Sequence, residues 1–186
     1  MNTSLELFVL AMVQQGLATP YELKTKAGLS LGSTVPALAR LEKDALVKAS
    51  EEGARRSRNF SITARGAKAL MQGSAQQLAI EHTDLDSILR VACLAWLQGD
   101  TKACQEFLKR SAAGLRGWVG SLRAEADRLA ARIGDKPDGG TFVWLRTHCE
   151  AARAETDAAA LIELSDRIAN KVERKRRTTT PRKQPR

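Results

Sequence analysis

The sequence is poor in cysteine, histidine and aromatic residues, and it has no long apolar run. Three cysteines and two histidines among 186 residues, without paired spacing, argue against a disulfide framework and predict a reducing environment. No apolar run approaches the ~18 residues of a membrane span, and the amino terminus lacks the basic lead-in of a signal peptide. We therefore expect a soluble, cytoplasmic protein of one or two small domains that does not enter a membrane.

Catalytic residue patterns are missing as well. We find no phosphate-binding glycine loop, nucleophile elbow or acidic metal cluster. Cys93, Cys104, His148 and Cys149 match no zinc spacing, and Cys93 and Cys149 lie on apolar stripes, where a reduced cysteine acts as a small hydrophobe. We predict a protein that is not an enzyme and has no cofactor and no metal, with thiol sensing by the cysteines as the minor alternative.

Positive charge is concentrated at the two ends of the chain. Lysine and arginine outnumber aspartate and glutamate by 10 to 6 in residues 1–74 and by 8 to 1 in residues 171–186, against 12 to 14 in residues 75–170. Basic segments attract nucleic acid, whereas a helical block that is not basic binds protein more often. We predict a DNA-binding domain (1–74), a helical dimerisation domain (75–170) and a basic disordered tail (171–186) that either attracts phosphates or only aids solubility.

The first two helices carry start and stop signals. Apolar residues at helical spacing begin at Leu5, and this helix is expected to end near Gly16. The second helix is predicted to begin with the capping box Thr19-Pro20-Tyr21-Glu22, which places proline at the first helical position. Gly28 can close it in the left-handed conformation.

A third helix, from Ser30 to Ala45, is the predicted DNA-reading helix. Its buried stripe is expected to consist of Leu38, Leu41 and Ala45. Its outward face is expected to hold Ser33, Ala37 and Arg40. Small side chains let a helix approach the major groove, and an arginine reaches a phosphate or a guanine edge. The alternative is an ordinary amphipathic surface helix.

After the third helix, the apolar pattern changes to simple alternation. Residues 46–50 and 59–63 form two short alternating runs, which predict a β-hairpin followed by a helix from Thr63. The intervening segment carries three arginines, Arg55, Arg56 and Arg58. Three helices, a hairpin and a returning helix form a winged helix-turn-helix, whose third helix enters the major groove while the wing lies on the backbone or in the minor groove. A solvated loop is the alternative for the arginines, but their position favours DNA contact.

Several motifs in this region recur in a known family. In the second helix, Pro20-Tyr21-Glu22-Leu23 matches G-Y-E-L. In the third, Leu29-Ser30-x-Gly32-Ser33 and Pro36-Ala37-Leu38-x-Arg40-Leu41-Glu42 match L-S-x-G-T and P-A-L-x-R-L-E. Further on, Leu46-Val47 and Ile62-Thr63-x-x-Gly66 match L-V and L-T-x-x-G. The chain thus resembles the PadR-like transcriptional regulators of bacteria, closely from Leu5 to about Leu70 and in layout beyond.

The resemblance implies a dimer held by carboxy-terminal helices that exchange between two chains. It adds Val35 and Pro36 to the DNA-facing residues, although Val35 replaces a DNA-facing tyrosine and so lacks its hydroxyl. Thr34 stands where an apolar residue packs inward, and Pro20 replaces a glycine. Because proline is tolerated only in a first helical turn, the third helix begins either near Ser33 or near Ser30 with a bend at Pro36. The resemblance favours the second start.

The remaining helices are predicted from apolar stripes. A first stripe runs from Leu85 to Leu97, and a second from Cys104 to Ile133. Gly114, Gly117 and Gly120 allow either close packing of a partner helix or a break. The stripe of the last helix is expected to consist of Phe142, Leu145, Cys149, Ala152, Ala159, Ile162, Ile168 and Val172. Long stripes with too few partners in one small domain usually pack against a second subunit.

Three tryptophans lie in this helical region, Trp96, Trp118 and Trp144. Because members of the resembled family bind small aromatic or cationic compounds near the dimer interface, these indoles are candidates for an effector site. The alternative is dimer core.

Together these features predict a mostly α protein with a small β-hairpin, in which an N-terminal winged helix-turn-helix precedes a C-terminal helical dimerisation domain. We expect a homodimeric repressor that binds double-stranded DNA at a pseudo-palindrome and is nucleoid-associated when bound. Two alternatives stay open: an architectural or partition-type DNA-binding protein, and a winged-helix protein-interaction module.

Overall fold

The computed structural model describes residues 3–50, 58–133 and 139–179. Over these residues the chain is mostly helical and contains one antiparallel β-hairpin, which confirms the predicted fold class. The chain divides into two compact units. The N-terminal unit comprises residues 1–80 and 89–100, and the C-terminal unit comprises residues 81–88 and 101–186.

Four helices of the N-terminal unit follow the predicted order: α1 (Ser4–Gln14), α2 (Pro20–Ala27), α3 (Leu31–Lys43) and α4 (Ala64–Ala79). Every residue of α1 from Glu6 to Val13 is buried, because a helix that is apolar on most sides must be surrounded by others. The predicted caps of α2 are confirmed: the Thr19 hydroxyl accepts a hydrogen bond from the Glu22 N–H at 3.1 Å, and Gly28 is left-handed at φ 70°.

The ends of α3 differ in part from the prediction. The helix begins at Leu31 with Ser30 as its N-cap, so Pro36 lies inside it. It ends at Lys43, and the prediction that Ala45 belongs to its buried stripe is wrong, because Ala45 is exposed beyond the helix at φ 56°. The N–H of Leu46 bonds to the Leu41 carbonyl at 2.8 Å, and this closure requires a left-handed residue between them.

The hairpin consists of β1 (Val47–Ala49) and β2 (Phe60–Ile62), with Lys48 paired to Ser61. The predicted wing tip, with Arg55 and Arg56, lies outside the described residues.

Gly66 explains why the hairpin and α4 meet so closely. A Cβ atom at Gly66 would lie 2.0 Å from the Leu46 carbonyl oxygen. Thr63, the N-cap of α4, holds the same junction: its hydroxyl oxygen lies 2.8 Å from the Ala45 carbonyl oxygen and accepts the Gly66 N–H at 3.0 Å. The Thr63-x-x-Gly66 motif is therefore a packing requirement.

The C-terminal unit is built on α6 (Thr101–Ala130) and α7 (Gly139–Thr179), while α5 (Leu85–Leu97) is shared in sequence between the units. Helix α6 runs through its three glycines without a break. The buried side of α7 alternates steps of four and three residues, and we call it the α7 seam: Thr147, Ala151, Ala154, Ala158, Leu161, Ser165 and Ile168. The predicted stripe is fully buried only at Ile168, while Ile162 and Val172 are half-buried. The prediction is wrong at five positions that are exposed: Phe142, Leu145, Cys149, Ala152 and Ala159.

Two predicted boundaries fall inside helices. Residues 74 and 75 both lie within α4, and α7 continues past Lys171 to Thr179. Lysine, glutamate and arginine favour helices, which accounts for the continuation into the basic segment. Residues 180–186 lie outside the described part of the chain. Within that part, no helix combines the length and the apolar character needed to cross a membrane.

Candidate nucleic-acid interface

The outward side of α3 carries small or apolar residues. Leu31 and Val35 are 41% and 51% exposed. Further exposed positions on this helix are Gly32, Pro36, Ala39 and Lys43. The opposite side packs into the core through Leu38 and Leu41. The helix therefore presents a surface that a second molecule can approach closely.

Two of the predicted DNA-facing residues are placed differently. Ala37 is 0% exposed, so the prediction that it faces outward is wrong. Ala37 precedes Leu41 by four residues, so the two lie on the same side of the helix. Ser33 is half-buried, and its hydroxyl donates to the Ser30 carbonyl at 3.0 Å. Thr34 is fully buried with its hydroxyl bonded to the same carbonyl at 2.7 Å, which satisfies a polar group in an apolar position.

Arg40 is tied to the core of the N-terminal unit. Its Nε donates to Oε1 of Glu6 at 2.5 Å, while Oε2 of Glu6 accepts the Thr3 N–H that caps α1 at 2.9 Å. Burial raises the pKa of the Glu6 carboxyl, but the bonds from Thr3 and Arg40 outweigh it and leave that pKa below its ordinary value. The Arg40 guanidinium therefore has a structural role in addition to any contact with DNA.

Arg58 connects β2 with α3. Its NH2 group donates to Oε1 of Glu42 at 2.6 Å, and its guanidinium carbon lies 5.7 Å from the centre of the Phe60 ring. The bond to Glu42 holds the base of the wing against α3, and the contact with the Phe60 ring fixes the guanidinium on the hairpin side.

A groove of about 640 Å³ lies beside Arg58, between the start of α2, the outward side of α3 and β2. Its apolar wall includes Tyr21, Leu31, Val35, Ala39 and Phe60. The groove is part of the candidate interface, since it is continuous with the outward side of α3.

The tryptophans are distributed over both units. Trp96 belongs to the N-terminal unit, and Trp118 and Trp144 belong to the C-terminal unit. Trp118 lines a cavity of about 440 Å³ together with four acidic side chains, Asp84, Asp86, Glu150 and Asp157. Trp144 lies nearer the start of α7, and the centre of its ring is 6.0 Å from that of His148.

The cysteines offer little support for thiol chemistry. Burial raises the pKa of the Cys93 thiol, which disfavours the reactive thiolate. Cys104 is fully buried, and Cys149 is exposed. Among the described residues, no three His, Cys, Asp or Glu side chains are grouped closely enough to hold a metal ion.

Sequence reasoning missed Leu31, Ala39 and Glu6. Leu31 and Ala39 lie four residues before and four residues after Val35, a spacing that the sequence displays once the start of the helix is known. The Glu6–Arg40 pair spans 34 positions, and no local pattern indicates it.

Comparisons with known proteins give a distant likeness. No family model matches the chain, and no curated protein matches it. It is similar to the crystal structure of Bacillus subtilis PadR in complex with operator DNA, at 13% identity and a TM-score of 0.36, over 88% of this chain and 98% of that one. It is also similar to Bacillus subtilis PadR in complex with p-coumaric acid, at 13% identity and a TM-score of 0.39, over 89% and 96%.

Proposed function

We propose that this chain is a PadR-like, sequence-specific transcriptional regulator that binds double-stranded DNA as a homodimer and represses transcription. The observation that carries the proposal is the exposed, small-residue side of α3 beside the β-hairpin. In the winged helix-turn-helix order, this helix enters the major groove and the hairpin lies over the backbone. The motifs shared with PadR-like regulators, from Pro20 to Gly66, agree with this arrangement.

Charges around α3 support the choice of DNA. Lys43 is exposed at its carboxy-terminal end, and Lys24 and Lys26 lie in the last turn of α2. Arg58 extends this positive charge to the hairpin, although Glu42 neutralises it in part. Lys26 is also paired with Glu22 at 3.1 Å, so Lys24, Lys43 and Arg58 contribute most of the positive charge that duplex phosphates would attract.

The exposed apolar residues of the C-terminal unit support the homodimer. Trp118, Phe142, Val143 and Leu145 are all exposed in a single chain. Gly114, Gly117 and Gly120 face open space, where an added Cβ would meet nothing within 4 Å. A second copy of the chain would cover these residues and let its helix approach closely. Paired copies of α3 would then bind the two halves of a pseudo-palindrome.

The test is duplex selection followed by anisotropy titration. The intact protein selects duplexes from a random pool, and its affinity for the enriched duplex is compared with that for a scrambled one over a salt series. Replacing Lys43 with alanine should weaken both affinities and make the salt dependence shallower by about one phosphate contact. Lys109→Ala on α6 is the matched control, because it removes the same charge from the C-terminal unit.

Three outcomes separate the functions. A clear preference for the enriched duplex supports the regulator. Equal, steeply salt-dependent affinity for both duplexes supports an architectural DNA-binding protein instead. No binding to any duplex at moderate salt supports a protein-interaction module.

We further propose that the Trp118 cavity takes a small aromatic effector. Its lining has four carboxylates and one cation, Arg153, which lies 3.8 Å from Asp157, so the excess of negative charge favours a cationic compound, which can also stack on the indole. Titration with a series of cationic and anionic aromatic compounds should quench tryptophan fluorescence for the cations, and Trp118→Phe should remove most of that signal. If the compounds quench the fluorescence of the Trp118→Phe variant as strongly as that of the wild type, the effector binds elsewhere.

A further inference from the structure

The outward side of α3 has almost no group that can form a hydrogen bond with a base. Leu31, Gly32, Val35, Pro36 and Ala39 are exposed, and their side chains contain no donor or acceptor. These residues occupy the first two thirds of the helix. That part of a recognition helix is the one that contacts base edges.

Neighbouring polar side chains already have partners within the chain. The Ser30 and Ser33 hydroxyl oxygens lie 2.8 Å apart in the N-cap of α3. Glu42 is bonded to Arg58, and Arg40 donates its Nε to Glu6 while 55% of its side chain stays exposed. Arg40 follows the base-facing residues 31–39, and among those nine residues no side chain has the amide or guanidinium fork that usually reads adenine or guanine.

The major groove offers one apolar feature to such a surface, the C5-methyl group of thymine. We infer that α3 recognises its site through thymine methyl groups, which pack against Val35 and Ala39 with Leu31 at the edge. The inference rests on the proposed function, because it presupposes that α3 enters the groove. The rise between Val35 and Ala39 is about 6 Å, close to two base steps of about 3.4 Å each.

DNA is favoured over an apolar protein surface by the charges that border these residues. Lys43 follows the apolar positions on α3, and Arg58 lies across the groove from Val35 as part of the same lining. The groove provides room beside the helix, so a methyl group on Val35 can be enclosed from a second side by Tyr21 and Phe60. Cations around an apolar strip match phosphates around a row of methyl groups.

The decisive experiment removes only the methyl groups. In the enriched duplex, each thymine is replaced in turn by deoxyuridine, which keeps the base pair and loses the C5-methyl. Anisotropy titration should show a loss of affinity of about fourfold at each contacted thymine, the ratio that corresponds to one buried methylene. Substitution at thymines outside the contacted positions should leave the affinity unchanged.

Protein variants connect the effect to α3. In each of the variants Val35→Ala and Ala39→Ser, the ratio of the affinities for thymine and deoxyuridine should approach one at a single thymine, the one that the replaced side chain contacts. Met71→Ala on α4 is the matched control, since Met71 is equally an exposed apolar residue of the N-terminal unit. Thermal melting of each variant by circular dichroism checks that it is folded, which is expected because Val35, Ala39 and Met71 are exposed.

Each result has a defined meaning. If the pool yields no enriched duplex, the proposed function fails. If a duplex is enriched but deoxyuridine binds as well as thymine everywhere, the methyl inference is overturned while the regulator stands. A ratio that persists in both α3 variants also overturns it, because the methyl groups then contact other residues. The Val35→Glu variant gives a further test. If it alters self-association in sedimentation but leaves duplex affinity intact, this surface contacts protein and the methyl inference is overturned.

Discussion

In the N-terminal unit, α1 is buried on all sides from Glu6 to Val13, whereas in the C-terminal unit α6 and α7 leave Trp118, Phe142 and Leu145 exposed. The first unit encloses its core between helices and a hairpin. It also exposes some large apolar residues, among them Leu31 and Val35 on α3. The second is centred on two long helices packed along one seam. The N-terminal unit thus encloses its own core, whereas the exposed apolar residues of the C-terminal unit are those that the proposed homodimer would cover.

Glycines show the same contrast at the scale of single atoms. In the N-terminal unit, a Cβ at Gly73 would lie 2.6 Å from the Leu7 side chain, and one at Gly66 would collide with a backbone oxygen. The glycines of α6 meet nothing. Packing thus requires glycine at Gly66, while on α6 each glycine costs helix stability of about 1 kcal/mol and gains nothing within a single chain.

The strongest test of this contrast is Gly66→Ala. The added methyl must displace the backbone of Leu46, so we expect a loss of at least about 3 kcal/mol in the free energy of unfolding. Urea denaturation followed by circular dichroism measures it. Gly117→Ala on α6 is the matched control and should raise the stability by up to about 1 kcal/mol. A loss of similar size in both variants would contradict the idea that only Gly66 is enclosed within the chain.

A second test compares two ion pairs, each joining two helices. Arg40→Ala leaves the buried Glu6 carboxylate without its charged partner and should cost about 2 kcal/mol at neutral pH. Arg123→Ala breaks the exposed pair with Glu155 in the C-terminal unit and should cost less than about 1 kcal/mol. Equal losses of unfolding free energy in the two variants would show that the burial of Glu6 does not strengthen its ion pair with Arg40.

The Glu6 pair should also depend on pH. Because the folded-state pKa of Glu6 is lowered from its ordinary value of 4.5, its stabilisation is complete above that value and is lost as the pH falls through the lower folded-state pKa. The stability difference between wild type and Arg40→Ala should therefore shrink below about pH 4. Denaturation curves at several pH values between 3 and 7 measure this, and a difference that stays constant would exclude the carboxylate as its source.

The smallest expected change concerns self-association. Replacing Phe142 and Leu145 together with serine should weaken the homodimer at least about tenfold, which corresponds to about 1.4 kcal/mol. Sedimentation velocity over a concentration series measures this. Met71→Ser in the N-terminal unit should leave the association unchanged. A double variant that dimerises like wild type would show that this end of α7 is outside the interface.

Local signals predicted the N-terminal unit well. Thr19 and Gly28 mark the limits of α2, and the alternating runs on either side of residues 51–57 locate the hairpin. Those signals are chemical and act within a few residues. The prediction for Ala37 was wrong, although its four-residue spacing from Leu41 places both on the buried side of α3. Ala45 appeared to continue the helix, but its left-handed backbone is set by the bond from the Leu46 N–H to the Leu41 carbonyl.

The C-terminal unit shows where such reasoning fails. Large apolar residues suggested a buried stripe through Phe142 and Leu145, but α7 buries alanines instead, at Ala151, Ala154 and Ala158. Alanine gives little contrast in a hydrophobic pattern, so the size of the side chain was misleading.

The α7 seam also limits how this protein can change in length during evolution. Its buried residues repeat every seven positions from Thr147 to Ile168. Each inserted or deleted residue turns the rest of an α-helix by about 100° and shifts it by about 1.5 Å, so a single-residue change moves every later seam residue off α6. Gains or losses of seven residues keep the side that packs. We therefore expect length variation among descendants of this chain to occur outside residues 147–168, or within them in steps of seven.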